Sequence, residues 1–155
     1  MPLQGSFQGV YPILATPFDD RENVDLESFG RIVRFMADIG VDGVTILGVL
    51  GESGRMVDIE REQLIKTAVA AAGGRIPVVV QDHPASTEVH MSVELMLRIV
   101  REIPGVACIK EEAPPTPARI TALIRGMTSR RVPILTGLGA LYGLFDLECG
   151  SAPAS

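Results

Sequence analysis

The sequence predicts an α/β fold in which about five parallel strands alternate with helices. Short apolar runs rich in β-branched residues recur near residues 10–15, 43–47, 76–80, 105–110 and 132–136. Between them lie segments whose apolar residues repeat every three or four positions, the spacing of one buried helix face. Strands without polar alternation, joined through helices, imply βαβ units and a parallel sheet covered on both sides.

Taken in order, Gly9 to Phe18 (GVYPILATPF) reads as a strand with Pro12 near its start and Thr16-Pro17 at its end. Asp25 is an N-cap, with Ser28 at the third helical position, for a helix whose face is Leu26, Phe29, Ile32, Val33, Met36 and Ile39, closed by Gly40. Val44–Leu47 is a short strand, followed by the glycine-rich loop from Gly48 to Gly54. Asp58 opens a helix that runs to Gly73-Gly74, and Ile76–Val80 is the next strand. Gln81 to Thr87 reads as a loop, and Val93 to Ile103 as a helix with Leu95, Met96, Ile99 and Val100 on one face. The strand ending in Lys110 follows, then a helix from Thr116 to Met127 capped by Thr116, with Pro117 at its first position. Val132–Thr136 is a strand, Gly137 to Gly139 a loop, Ala140 to Leu147 a helix, and Ser151 to Ser155 a small polar tail.

With 155 residues, 46% hydrophobic and 21% charged, the chain is long enough for one domain with its own core. A net charge of -5 without a basic block gives no footprint for nucleic acid. No apolar run reaches the roughly 18 residues of a membrane span, and Met1 to Gln8 carry no signal-peptide pattern. Cys108 and Cys149, one in a core strand and one near the end, fit reduced thiols and a cytoplasmic protein. With His83 and His90 they form no zinc spacing, and no metal or other cofactor is signalled. Neither GxGxxG nor GxxxxGK[ST] occurs.

Lys110 carries the chemistry. A lysine at the C-terminal end of an apolar parallel strand stands where α/β folds bind ligands. Desolvation there disfavours the ammonium form and frees the amine to attack a carbonyl. The plainer reading is an ion pair with Glu111, Glu112 or another carboxylate at the rim. Alternation sends Glu111 to the opposite face and lets Glu112 share the face of Lys110. The other lysine, Lys66, sits among Glu60, Glu62 and Gln63 on a helix, where a solvated ion pair is expected. Gly48 and Gly51 flank a loop whose backbone N–H groups could approach a carboxylate; a plain tight turn would look the same.

The segments GVYPILATPF, GVTILGVLGESGRM, GVACIKEE and PILTGLGALYG, in this order, resemble the dihydrodipicolinate synthase and N-acetylneuraminate lyase family. The resemblance implies a (β/α)8 TIM-barrel that forms a Schiff base with pyruvate or a related 2-oxo acid, without a cofactor, in a homo-oligomer. It places the Schiff-base lysine on Lys110. It places substrate binding on the Gly48, Val49, Leu50, Gly51 and Glu52 loop, and on Thr136 and Gly137. The family's carboxylate-binding hydroxyls fall on Val49 and Leu50, which have none. Its proton-relay tyrosine falls on Gln81, in Gln81-Asp82-His83-Pro84, leaving Asp82 or His83 as possible substitutes. An arginine of the synthase members falls on Ser86, which argues against dihydrodipicolinate synthesis itself.

A full barrel needs about 250 residues. The resemblance locates the deficit: residues 76–82 begin as the third strand and end as the fifth, and the chain stops after 150, where the eighth strand would start. The expectation is a single incomplete (β/α) barrel domain over residues 1–155, partial in strands and open at its edges. It is either a Schiff-base lyase or aldolase, or an inactive barrel fragment acting as a binding or assembly module. Gln81 and Asp82 should both lie within reach of Lys110, and no antiparallel hairpin should interrupt the strands.

Overall fold

A computed structural model describes residues 7–152; the expectations for residues 1–6 and 153–155 lie outside them. The elements run α1 (Leu26–Asp38), β1 (Val44–Ile46), α2 (Asp58–Ala72), β2 (Val78–Asp82), α3 (Pro84–Thr87), α4 (Val93–Glu102), β3 (Val106–Glu111), α5 (Thr116–Gly126), β4 (Ile134–Thr136) and α6 (Gly143–Glu148). The four strands form one sheet in chain order, every neighbour parallel.

Two further segments extend the sheet without forming named strands. Ile13 bridges Thr45 in parallel, with Leu14 N–H donating to Thr45 C=O at 2.9 Å and Thr45 N–H to Pro12 C=O at 2.9 Å. The expected strand at 10–15 is thus a single bridge: the preceding rung would need an N–H from Pro12, which has none. At the other edge Ala152 N–H donates to Ile134 C=O at 2.8 Å and bridges Leu135 in parallel. The start of the expected polar tail therefore joins the sheet. Among the described residues the one antiparallel bridge, Phe18 with Val24, closes the turn before α1 and lies outside the sheet.

Helix starts follow local chemistry. Asp25 accepts the Ser28 N–H at 2.9 Å, and Ser92 accepts the Leu95 N–H at 3.1 Å, each capping its helix. Glu60 reaches back to the Val57 N–H at 2.8 Å to close the start of α2. Thr116 does not cap α5 as expected. Its hydroxyl is drawn to the buried Asp146 carboxylate at 2.7 Å, and Pro115 holds the cap position. The 81–87 segment is likewise less loop-like than expected: β2 runs through Asp82, and Pro84 starts the one-turn α3.

The helices cover one face of the sheet. Phe29 and Val33 of α1, Leu64, Ile65 and Ala68 of α2, Met96 and Val100 of α4, and Ile120 and Leu123 of α5 meet Val44, Ile46, Val78, Val80, Val106 and Ile109 there. Burying each large apolar side chain is worth about 1.5–3 kcal/mol. Ile39, expected on this face, is half exposed as the C-cap of α1. The opposite, concave face carries a smaller cluster of Val79, Cys108 and Leu135, with Phe7, Tyr11 and Ala152 against it.

The register of β3 decides which residues reach that concave face. Val78 pairs with Val106, but Val79 pairs with Cys108, so Ala107 is an extra residue in β3. Val106 packs under the helices and Cys108 on the concave side, although they are two positions apart. Without the bulge they would share a face. The bulge therefore turns Cys108 and, two residues on, Lys110 toward the concave face. It lies against the N-terminal half of β2.

Candidate active site

Lys110 and Gln81 are register partners on adjacent parallel strands, and both turn inward at the C-terminal ends. They meet through Glu112. The Lys110 ammonium is 3.6 Å from Glu112 Oε1, and the Gln81 amide donates a short hydrogen bond to Glu112 Oε2. Leu138 N–H donates to Glu112 Oε1 at 2.9 Å. Glu112 is 4% exposed, while the Lys110 side chain keeps 26% of its surface open. Gln81 Oε1 is buried without a partner.

Two glycines make this arrangement possible. A Cβ on Gly137 would lie 1.9 Å from Glu112 Oε1, and one on Gly48 would lie 1.9 Å from Gln81 Oε1. Only glycine leaves both side chains in place. Gly48, Gln81, Lys110 and Gly137 therefore come together around the Glu112 carboxylate. Glu112 was legible through alternation from Lys110; the contacts of its two oxygens were not.

Other expected residues point elsewhere. Val49 and Leu50 form a 3-10 turn with Gly51 and are exposed. Glu52, at positive φ, pairs with Arg55 at 3.0 Å. The Gly51 C=O accepts the Thr16 hydroxyl at 2.6 Å. Thr136 turns outward, because Leu135 takes the concave face, and its hydroxyl donates to Asp146. Asp146, 1% exposed, thus holds the Thr116 and Thr136 hydroxyls on its two oxygens. Asp146→Ala should orphan both and cost on the order of 2–4 kcal/mol, read by urea denaturation. A loss below about 0.5 kcal/mol, the size of an ordinary surface change, would contradict this.

Asp82 faces away from Lys110, correcting the expectation that it lies within reach. It belongs to a buried cluster on the helix side. Arg119 Nη2 donates to Asp82 Oδ2 at 2.8 Å and to Met91 C=O at 2.7 Å, and its Nε donates to Glu111 Oε1 at 3.1 Å. Burial pushes both carboxyls above their ordinary values, against the pull of Arg119. Lys66 forms the expected exposed pair, with Glu62 at 2.5 Å. Cys108 lies on the concave face with its thiol pushed up to about 12 by burial, which makes it a poor nucleophile.

A cavity of about 210 Å³ opens on the concave face, lined by Phe7, Gly9, Tyr11, Ile13, Thr45, Val79, Lys110 and Leu135. A larger one, about 310 Å³, lies outside between α2 and α4 and holds Lys66 rather than Lys110. The smaller cavity is the better candidate, since it is lined by the recessed Lys110 amine at a strand end, whereas the Lys66 amine of the larger one is exposed. Among the described residues no cluster of His, Cys, Asp and Glu could hold a metal ion, and no helix is long and apolar enough to cross a membrane.

Residues 6–88 match the Dihydrodipicolinate synthetase family, a span that includes Gly48 and Gln81 and ends before Lys110. A 4-hydroxy-tetrahydrodipicolinate synthase from Thermotoga petrophila is 40% identical over 82 residues, 53% of this chain and 28% of that protein. An N-acetylneuraminate lyase from Citrobacter koseri is 37% identical over 81 residues, 52% of this chain and 27% of that protein. The matches thus span little more than a quarter of these relatives' length. The crystal structure of N-acetylneuraminate lyase from Mycoplasma synoviae superposes with a TM-score of 0.73 at 18% identity, covering 96% of this chain and 54% of that one. That likeness extends the shared barrel fold past β3. By the family match over more than half of its length, this chain belongs to the Dihydrodipicolinate synthetase family, and its fold is a partial (β/α) barrel.

Proposed function

We propose that the chain acts as a class I aldolase or lyase, in which Lys110 forms a Schiff base with pyruvate or a related 2-oxo acid. The observation that carries this reading is the recessed Lys110 amine at a strand end, facing a cavity and paired with Glu112. The amine attacks the 2-oxo carbon, water leaves, and the protonated imine accepts electrons from the neighbouring carbon–carbon bond. The backbone N–H groups of Val49 and Leu50 hold the substrate carboxylate, with Gln81 at its side, while the Gly51 N–H closes the turn onto Gly48 C=O. No cofactor is needed, and the setting is cytoplasmic. Borohydride reduction with pyruvate, followed by peptide mass spectrometry, should place an adduct on Lys110. A folded sample labelled on Lys66 alone would end this reading.

Gly48→Ala should slow adduct formation by up to about 10²-fold, because its Cβ displaces Gln81 while the backbone, at φ -78°, accepts alanine. The rate of borohydride-trapped adduct checks this; an unchanged rate would remove Gln81 from the binding site.

The barrel reading also carries a proposal for the chain's organisation: one (β/α) barrel domain in which the block between the third and fifth family strands is missing. The bulge at Ala107 beside β2 and the gap between α2 and α4 fit such a junction. A second reading, a homo-oligomeric binding or assembly module without turnover, is favoured by Leu141, Leu144 and Phe145, which stand exposed at and before α6. Light scattering checks assembly, and the adduct assay separates the two readings.

A further inference from the structure

We infer that Glu112 is the acid–base residue of this site, shuttling protons for Lys110 where Gln81 cannot. The inference rests on the Schiff-base reading and names the group that makes it work. An amide donates and accepts hydrogen bonds but does not carry a proton between reacting atoms. A carboxylate does, provided it lies within reach of them and is held in place. Glu112 is held in place and stands at ion-pair distance from the amine, so a small side-chain movement or one bridging water brings it into transfer range. Oε1 is 3.6 Å from the Lys110 ammonium. Its orientation is fixed from two sides, by the Leu138 N–H on Oε1 and the Gln81 amide on Oε2. Gly137 leaves the space the carboxylate occupies. Gln81 therefore takes a positioning role, aiming the carboxylate.

The steps balance. The Glu112 carboxylate takes a proton from the Lys110 ammonium, and the free amine adds to C2 of the 2-oxo acid. Glu112 returns the proton to the departing hydroxyl, which leaves as water, and the protonated imine forms with Glu112 again a carboxylate. Glu112 then removes a proton from C3; the C–H electrons form the C2–C3 double bond, and the imine electrons move onto nitrogen. Glu112 gives that proton to solvent, a solvent-derived proton returns to C3 to restore the protonated imine, and water hydrolyses the imine to release the 2-oxo acid and regenerate the Lys110 ammonium. None of the other described acidic groups faces this amine: Asp82 and Glu111 are turned to Arg119, and Glu52 to Arg55.

The test measures two quantities on the intact chain: hydrogen–deuterium exchange at C3 of pyruvate in D₂O by NMR, and the borohydride-trapped adduct on Lys110. Glu112→Gln should keep the equilibrium adduct and lose exchange by about 10²–10⁴-fold, the worth of general acid–base help. Glu112→Ala should lose exchange similarly and regain it as formate is added. Normal exchange in Glu112→Gln with a normal adduct overturns the inference and leaves the Schiff-base reading standing. A loss that formate does not restore assigns Glu112 a structural role and likewise overturns it. Absence of any Lys110 adduct in the unsubstituted chain overturns the Schiff-base reading and this inference together.

Discussion

Arg119→Met should destabilise the fold by about 3–5 kcal/mol near pH 7, the cost of breaking a buried ion pair from one side. Asp82 and Glu111 are 1% and 0% exposed, and Arg119 is the cation that both contact. The guanidinium also satisfies Met91 C=O and ties α5 to β2, β3 and the entry to α4. Methionine keeps much of the side chain's apolar volume, so the loss reports the charge and its hydrogen bonds more than packing.

The pH dependence has a definite sign. Burial raises both carboxyls above the ordinary carboxylate value of ~4. The folded state then holds protons that the unfolded chain has released. Their contribution to stability is full below ~pH 4 and is lost as pH rises through the folded-state values. Without Arg119 those values climb further, so the penalty of Arg119→Met should be largest near neutral pH and shrink toward pH ~5. Urea denaturation of both proteins at the two pH values checks this. An equal penalty at both would mean that Arg119 acts through packing alone.

The alternation of strands and helices was legible because the apolar runs and the three-four faces bury in one shared core, to which Val80 and Val100 both belong. The same reasoning overstated the segment at 10–15, since hydropathy says nothing of the missing Pro12 N–H. At the site, Lys110, Gln81, Gly48 and Gly137 could be placed from strand ends and the family resemblance. Thr136 could not, because its neighbour Leu135 claims the concave face and Asp146 waits on the other. The bulge at Ala107 was also hidden. Counting back from an inward Lys110 in a regular strand turns Val106 inward as well, yet Val106 packs beneath the helices. Bulges leave little trace in composition, and a shift of one residue exchanges the faces of everything beyond it. The two oxygens of Glu112 were illegible for a related reason: one partner, Leu138 N–H, lies 26 residues away across a loop.

Lys110→Met should abolish the trapped 2-oxo acid adduct while leaving the fold in place. The side chain is the proposed nucleophile, and methionine offers no amine to replace it. Structurally the lysine contributes less than Arg119. About a quarter of its side chain is open to solvent, and its contact with Glu112 is a single ion pair at 3.6 Å. Glu112 keeps the Leu138 N–H and the Gln81 amide when that cation is gone, so no fully orphaned carboxylate results. The loss of stability should therefore be well below that of Arg119→Met in the same urea experiment. Lys66→Met serves as the counterpart, since Lys66 is an exposed partner of Glu62 on α2 and should form no adduct to lose. The expected pattern is complete loss of labelled peptide in Lys110→Met and full retention in Lys66→Met, with both variants folded by circular dichroism. Equal labelling of the unsubstituted chain and Lys110→Met would show that another amine reacts. The concave cavity would then lose its claim to be the active site.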